Sequence, residues 1–151
     1  MDGYSSGLSL LFRVQMHLCA LPLTHVVETM RPLPIEQLSS APRFVRGLSV
    51  IRGVPTPVVD VARLFDGEDS FPTRFVTIAI GGRRAALAVD SVLGVRPIPL
   101  GSLQALPPLL QNADAVSAIG TLDAELLLVL SGARLVPDDL WAELDVEELS
   151  L

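Results

Sequence analysis

The sequence of 151 residues contains no lysine and a single cysteine, and only 5% of its residues are aromatic. The single cysteine, Cys19, excludes an internal disulfide and fits a reducing compartment. The longest apolar runs, such as Leu126–Leu130, are far shorter than a bilayer span, and Met1–Gly7 lacks the basic charge of a signal peptide. Because half of the residues are apolar, we expect a folded, cytoplasmic protein.

The net charge of −6 comes from the end of the chain. Residues 137–151 hold six acidic residues and no basic one, and the other eleven acidic residues balance the eleven arginines. No segment is rich enough in arginine for a basic face, so we expect no nucleic-acid partner. Pro137, followed by Asp138 and Asp139, predicts that 137–151 form an acidic C-terminal helix or tail.

Recognisable enzyme motifs are missing. The sequence has no glycine-rich phosphate loop, and no serine lies in the context of a nucleophile elbow. Asp60, His25 and Cys19 are the best catalytic candidates, but their spacing is too loose to predict a metal or catalytic site. Asp60 is expected to bind turn amides and Cys19 to lie in the core. We expect no catalysis and no cofactor, with a small enzyme that uses these three residues as an alternative.

Short apolar runs separated by glycine and proline predict a mainly β chain. The segment Gly47–Leu64 indicates two strands around a tight turn. We expect Gly53 and Pro57 to shape this turn and Asp60 to satisfy its amides. Arg52 is an isolated charge in the segment, and capping of the hairpin is its simplest role.

A repeat relates the two parts of the chain. Arg31–Pro34 recurs as Arg96–Pro99 at an offset of 65 residues, and Val58–Leu64 recurs as Val129–Leu135 at an offset of 71. We therefore predict two similar, interleaved five-stranded β-barrel halves within 8–136, with short helices and a boundary near 66–74. A flexible arm at 1–7 precedes them. The second half has Gly120 but no arginine to match Arg52.

An ordered set of short motifs covers most of the chain, from about Leu10 to Leu135. The motifs are Ala20–Pro22, Val26–Glu28, Ala41–Gly47, Ile51–Gly53, Pro57–Asp60, Gly81–Arg84 and Val89–Val95. In this order and spacing they resemble the CheW family of chemotaxis coupling proteins. Members of that family are adaptors between transmembrane receptors and the histidine kinase CheA.

The resemblance implies two five-stranded barrels around a shared core, with a groove between them that binds the tip of a receptor helical hairpin. The ends of the molecule would contact the regulatory domain of CheA, and contact with the membrane would be indirect, through receptors. The groove residues that the resemblance implies are Val26, Glu28, Thr29, Arg52, Val92 and Val95.

The predicted function is therefore that of a non-catalytic adaptor in chemotaxis signalling, or of a similar adaptor in another chemosensory pathway such as surface motility. Two roles stay open for Glu28 and Arg52, namely contact with the receptor or pairing with each other across two strands. Losing one partner of a partly buried pair costs ~3–5 kcal/mol. The three groove valines have the alternative of pointing into the barrels.

Overall fold

The computed structural model describes residues 7–65, 71–98, 103–104 and 115–136. The predicted acidic helix over 137–151, most of the predicted arm and residues 66–70 lie outside this part of the chain. The described strands are β1 Leu8–Val14, β2 His17–Pro22, β3 Val26–Met30, β4 Val45–Ile51, β5 Val54–Asp60, β6 Arg74–Ile80, β7 Arg83–Val89, β8 Ser91–Pro97, β9 Val116–Leu122 and β10 Glu125–Leu130. Two four-residue helices are also described, α1 Val61–Leu64 and α2 Gly132–Leu135, with a 3₁₀ turn at Leu23–His25.

The strands form two five-stranded sheets. The first sheet has the order β8-β1-β2-β10-β9, and the second has the order β3-β6-β7-β5-β4. The prediction of a mainly β fold in two five-stranded halves is confirmed. Each half is an open sheet, because its two outermost strands are not hydrogen bonded to each other in the described ladders.

Each repeat of the sequence contributes strands to both sheets. Val58 of β5 lies opposite Ala86 of β7, and Val129 of β10 lies opposite Ala20 of β2, in two equivalent parallel pairings. These pairs confirm the predicted offset of 71 between β5 and β10. The predicted boundary near 66–74 lies between the repeats but not between the sheets, since the flanking strands β5 and β6 both belong to the second sheet.

The edge strands β3 and β8 are equivalent as well. Val26 lies opposite Ile78, and Val92 lies opposite Phe12, so that an offset of 66 residues relates both members of the two pairs. The motif offset of 65 was therefore wrong by one residue. The two Arg-Pro motifs still follow equivalent strands, which supports an internal repeat.

Three apolar clusters hold the two sheets together. The shared cluster lies between the sheets and draws on both of them, with β1 and β7 buried on both faces. A smaller cluster lies on the other face of each sheet. This arrangement explains why the central strands appear as continuous apolar runs in the sequence. The shared cluster includes Leu10, Phe12, Leu21, Val59, Val76, Ile78 and Leu87.

The hairpin of β4 and β5 differs from its prediction in one respect. Its turn is only two residues long, Arg52 and Gly53, and both have positive φ (53° and 77°). Pro57 lies within β5, opposite Leu48, and not in the turn. At that position β5 is paired with β4 alone, since its pairing with β7 begins at Val58, so the missing N–H of proline breaks no bond with β7.

Candidate functional site

Glu28 and Arg52 form a two-point ion pair. Arg52 Nη2 donates to Glu28 Oε1 at 2.9 Å, and Arg52 Nε donates to Glu28 Oε2 at 3.2 Å. Glu28 lies on the edge strand β3, whereas Arg52 lies in the turn between β4 and β5, at the opposite edge of the second sheet. The pair therefore bridges the open side of the second sheet.

The electrostatics of this pair favour its charged form. The hydrogen bond from Arg52 lowers the pKa of the Glu28 carboxyl, partial burial opposes the shift, and the charges of Arg52 and Arg84 add to it. The same hydrogen bond raises the pKa of Arg52. The Arg52 side chain is 70% exposed and that of Glu28 27%, so solvent screens the attraction. The two hydrogen bonds fix geometry more than they add stability.

Glu28 faces the end of the second sheet's own cluster. It lies opposite Thr77 on β6, and directly opposed residues share a face of the sheet. The Glu28 N–H donates to Thr77 Oγ1 at 3.1 Å, and the Thr77 hydroxyl donates to the Glu28 carbonyl at 3.2 Å. Glu28 and Thr77 also line a small pocket together with Val27, Ile51, Thr56 and Arg84.

The other predicted residues of β3 lie on its opposite face. Val26 is half-buried against the shared cluster, and Thr29, opposite Val76 of that cluster, is exposed. A bulge at Val27 causes this division, because the extra residue reverses the alternation of side chains. Val26 and Thr29 thus lie on the face of β3 towards the first sheet, and Glu28 does not.

Strand β8 repeats this arrangement. Val92 is half-buried against the shared cluster, and Val95, opposite Leu10 of that cluster, is 44% exposed. The 66-residue offset makes Val92 the equivalent of Val26 and Val95 the equivalent of Thr29. All four residues lie on the faces of the two edge strands that flank the shared cluster. The alternative that these valines point into the single-sheet clusters is therefore wrong for Val26 and Val92.

Sequence reasoning missed the bulge residues. Val27 is 46% exposed, and its equivalent Leu93, at the bulge of β8, is 51% exposed. The detectable signal was in the pattern, since three consecutive apolar or hydroxyl residues do not fit strict strand alternation. An exposed apolar side chain at each edge strand extends the candidate surface on both sides of the shared cluster.

The three catalytic candidates are held apart in structural roles. Cys19 is fully buried in the shared cluster, and burial raises the pKa of its thiol to about 12. Asp60 binds Arg46 Nε at 2.7 Å and caps α1 by accepting from the Arg63 N–H at 3.3 Å. His25 ends the 3₁₀ turn. No hydrogen bond or ion pair joins any two of the three in the part of the chain that the structure describes.

No group of three or more potential metal ligands occurs among the described residues. The described helices are also too short and not apolar enough to cross a membrane.

Comparison with known proteins points in one direction. The family model of the CheW-like domain matches residues 9–140. Protein FrzA of Myxococcus xanthus is 33% identical over 116 residues, which is 75% of this chain and 72% of FrzA. The chemotaxis protein CheA of Rhizobium meliloti is 32% identical over 116 residues, which is 72% of this chain but 14% of CheA. The scaffolding protein TtCheW from Thermoanaerobacter tengcongensis has a similar structure, with a TM-score of 0.75 and 25% identity, over 83% of this chain and 89% of TtCheW.

Proposed function

Because this chain belongs to the family of CheW-like domains, we propose that it is a non-catalytic adaptor that couples chemoreceptors to a histidine kinase of the CheA type. It acts by holding the two partners in one geometry. The proposal needs no cofactor, and the three catalytic candidates have structural roles.

The receptor side of the proposal rests on the edge strands β3 and β8. They present Val26, Thr29, Val92 and Val95 next to the shared cluster, with Val95 44% exposed. An apolar strip between two sheets fits the apolar side of a helical hairpin such as a receptor signalling tip. Burial of such side chains contributes roughly 25 cal/mol per Å² of apolar surface, while nearby charges fix orientation.

The kinase side of the proposal rests on the similarity to CheA. That protein contains a segment about as long as this chain and 32% identical to it. We propose that this chain docks through its ends against such a segment, the regulatory domain of the kinase. Contact between two similar folds would allow the adaptor and the kinase to alternate in an assembly.

Binding of the purified chain to each partner tests the proposal. The partners are a receptor signalling fragment and a CheA regulatory domain from the same genome, with affinities measured by calorimetry. Val95→Asp should weaken receptor binding at least ~10-fold, because it places an unpaired charge in an apolar contact. The matched control is Val50→Asp, since Val50 is 65% exposed on β4.

Two results would contradict the proposal. A wild-type chain that binds neither partner rules out the adaptor function, and equal receptor binding by Val95→Asp and wild type rules out the receptor groove. Capture of partners from cells, followed by mass spectrometry, distinguishes chemotaxis from another chemosensory pathway through the identity of the receptor and kinase recovered.

A further inference from the structure

A second ion pair occurs at the equivalent position of the first sheet. Arg96 Nη1 on the edge strand β8 donates to Asp123 Oδ2 at 2.9 Å. Asp123 is the first residue of the two-residue turn between β9 and β10, at the opposite edge of the first sheet. This pair therefore bridges the open side of the first sheet, as Glu28 and Arg52 bridge that of the second.

The internal repeat makes the two turns equivalent. The 71-residue offset that relates β5 to β10 also relates Arg52 to Asp123. Both residues have positive φ, 53° and 51°, as do the residues that follow them, Gly53 and Ala124. The prediction that the second half has no counterpart of Arg52 was therefore wrong, since the counterpart has the opposite charge.

The strand partners correspond closely but not residue for residue. Gly94 is the equivalent of Glu28 under the 66-residue offset, and Arg96 lies two positions further along β8. Residues two apart on a strand share a face. Both pairs thus extend from the face of an edge strand that points away from the shared cluster, with acid and base exchanged.

From this equivalence we infer that Arg96 and Asp123 are a positioning pair, the charge-inverted counterpart of Glu28 and Arg52, which holds β8 and its exposed Val95 in place for partner binding. The inference rests on the proposed function. The edge strand β8 is hydrogen bonded on one side only, to β1. A tie from Arg96 to the far side of the sheet limits its movement, and Val95 is the adjacent residue.

The exposure of the pair sets the kind of effect expected. The side chains of Arg96 and Asp123 are 48% and 75% exposed, so the pair contributes little to global stability. Its loss should change the local order of β8 and the affinity of the partner surface that β8 carries, with little change in melting temperature.

The test uses Arg96→Asp, Asp123→Arg and the double exchange in the full chain. Each single reversal places like charges together, so affinity for the receptor signalling fragment should fall about 3- to 10-fold at low salt, and the double exchange should restore it to within about twofold. The single-variant loss should shrink at 1 M salt, because exposed charges are screened. Arg31→Asp is the matched control, since Arg31 is exposed and has no ion pair within the described residues.

Hydrogen exchange of residues 91–98, measured by mass spectrometry, gives a readout that needs no partner. Exchange should be faster in the single reversals and normal in the double exchange and the control. Single reversals with unchanged exchange and affinity would overturn the inference, and so would a double exchange that stays as weak as the single variants. A wild-type chain that does not bind the receptor fragment, with exchange changes as expected, would contradict the proposed function and remove the binding role from the pair.

Discussion

Asp60 and Ser131 occupy equivalent positions, each immediately before a four-residue helix, but only Asp60 caps its helix. Asp60 accepts from the Arg63 N–H and pairs with Arg46 Nε, whereas the Ser131 side chain makes no capping hydrogen bond. Asp60 is 2% exposed, so its charge depends on these partners. The same place in the repeat is thus electrostatically demanding in one sheet and permissive in the other.

We predict that Asp60→Ala lowers the free energy of unfolding by ~3 kcal/mol, because it removes the partner of a largely buried arginine and a helix cap. Ser131→Ala is the matched control, and we expect a change within ~0.5 kcal/mol. Urea unfolding of the two variants checks the prediction. Equal losses in the two would show that the ion pair with Arg46 does not matter for stability.

Gly47 is predicted to be irreplaceable for steric reasons. Its φ is 145°, and a Cβ built there would lie 2.0 Å from the carbonyl oxygen of Glu36, which accepts from the Leu48 N–H. Gly47→Ala should cost ~3 kcal/mol or more, since backbone must move. Gly53→Ala is the control, because Gly53 has φ 77° but open space around it, and should cost only ~1 kcal/mol. Thermal unfolding that places Gly53→Ala below Gly47→Ala would contradict this explanation.

The open question of Glu28 and Arg52 can be resolved by a double-mutant cycle. If the two side chains act by pairing, Glu28→Gln and Arg52→Ala should each weaken receptor binding, and the double variant should be no weaker than the weaker single variant. Charge exchange is less suitable here, because Arg84 lies near Glu28. Calorimetry on the three variants checks the prediction. Additive losses would instead indicate that both residues contact the receptor independently.

Stability should decrease at acid pH through two carboxyls. Hydrogen bonds from Arg52 and Arg13 lower the pKa of Glu28 and of Glu125 below the ordinary value of 4.5. Protonation breaks these pairs, so their contribution is present above pH 4.5 and disappears as the pH falls through the lowered pKa values. We predict that Glu28→Gln together with Glu125→Gln flattens the acid side of a plot of unfolding free energy against pH. An unchanged slope below pH 4.5 would show that other groups control it.

Several features of the fold were predictable because their causes are local. The glycines at 81 and 82 have the positive φ values of a hairpin turn, and β6 and β7 pair around them as expected. Alternating and continuous apolar runs indicated the strands, and the offset of 71 residues indicated the repeat. The motifs that indicated the family are likewise contiguous in the sequence.

Other features depend on contacts between distant parts of the chain. Nothing near Val27 announces the bulge that places Glu28 and Val26 on opposite faces of β3, because a bulge is defined by the register with β6. The assignment of strands to sheets was hidden for a similar reason. Each repeat gives strands to both sheets, and hydrogen bonds between strands far apart in sequence decide which strands are neighbours.

The sequence by itself determined the strands, the repeat, the family and the identity of Glu28 and Arg52 as a pair worth testing. Only the tertiary structure decided that their ion pair crosses the open side of a sheet, and that Arg96 and Asp123 do the same with inverted charges. The physical reason is that strand propensity and turn chemistry act over a few neighbouring residues. An ion pair between opposite sheet edges exists only once the whole sheet has curved to bring them together.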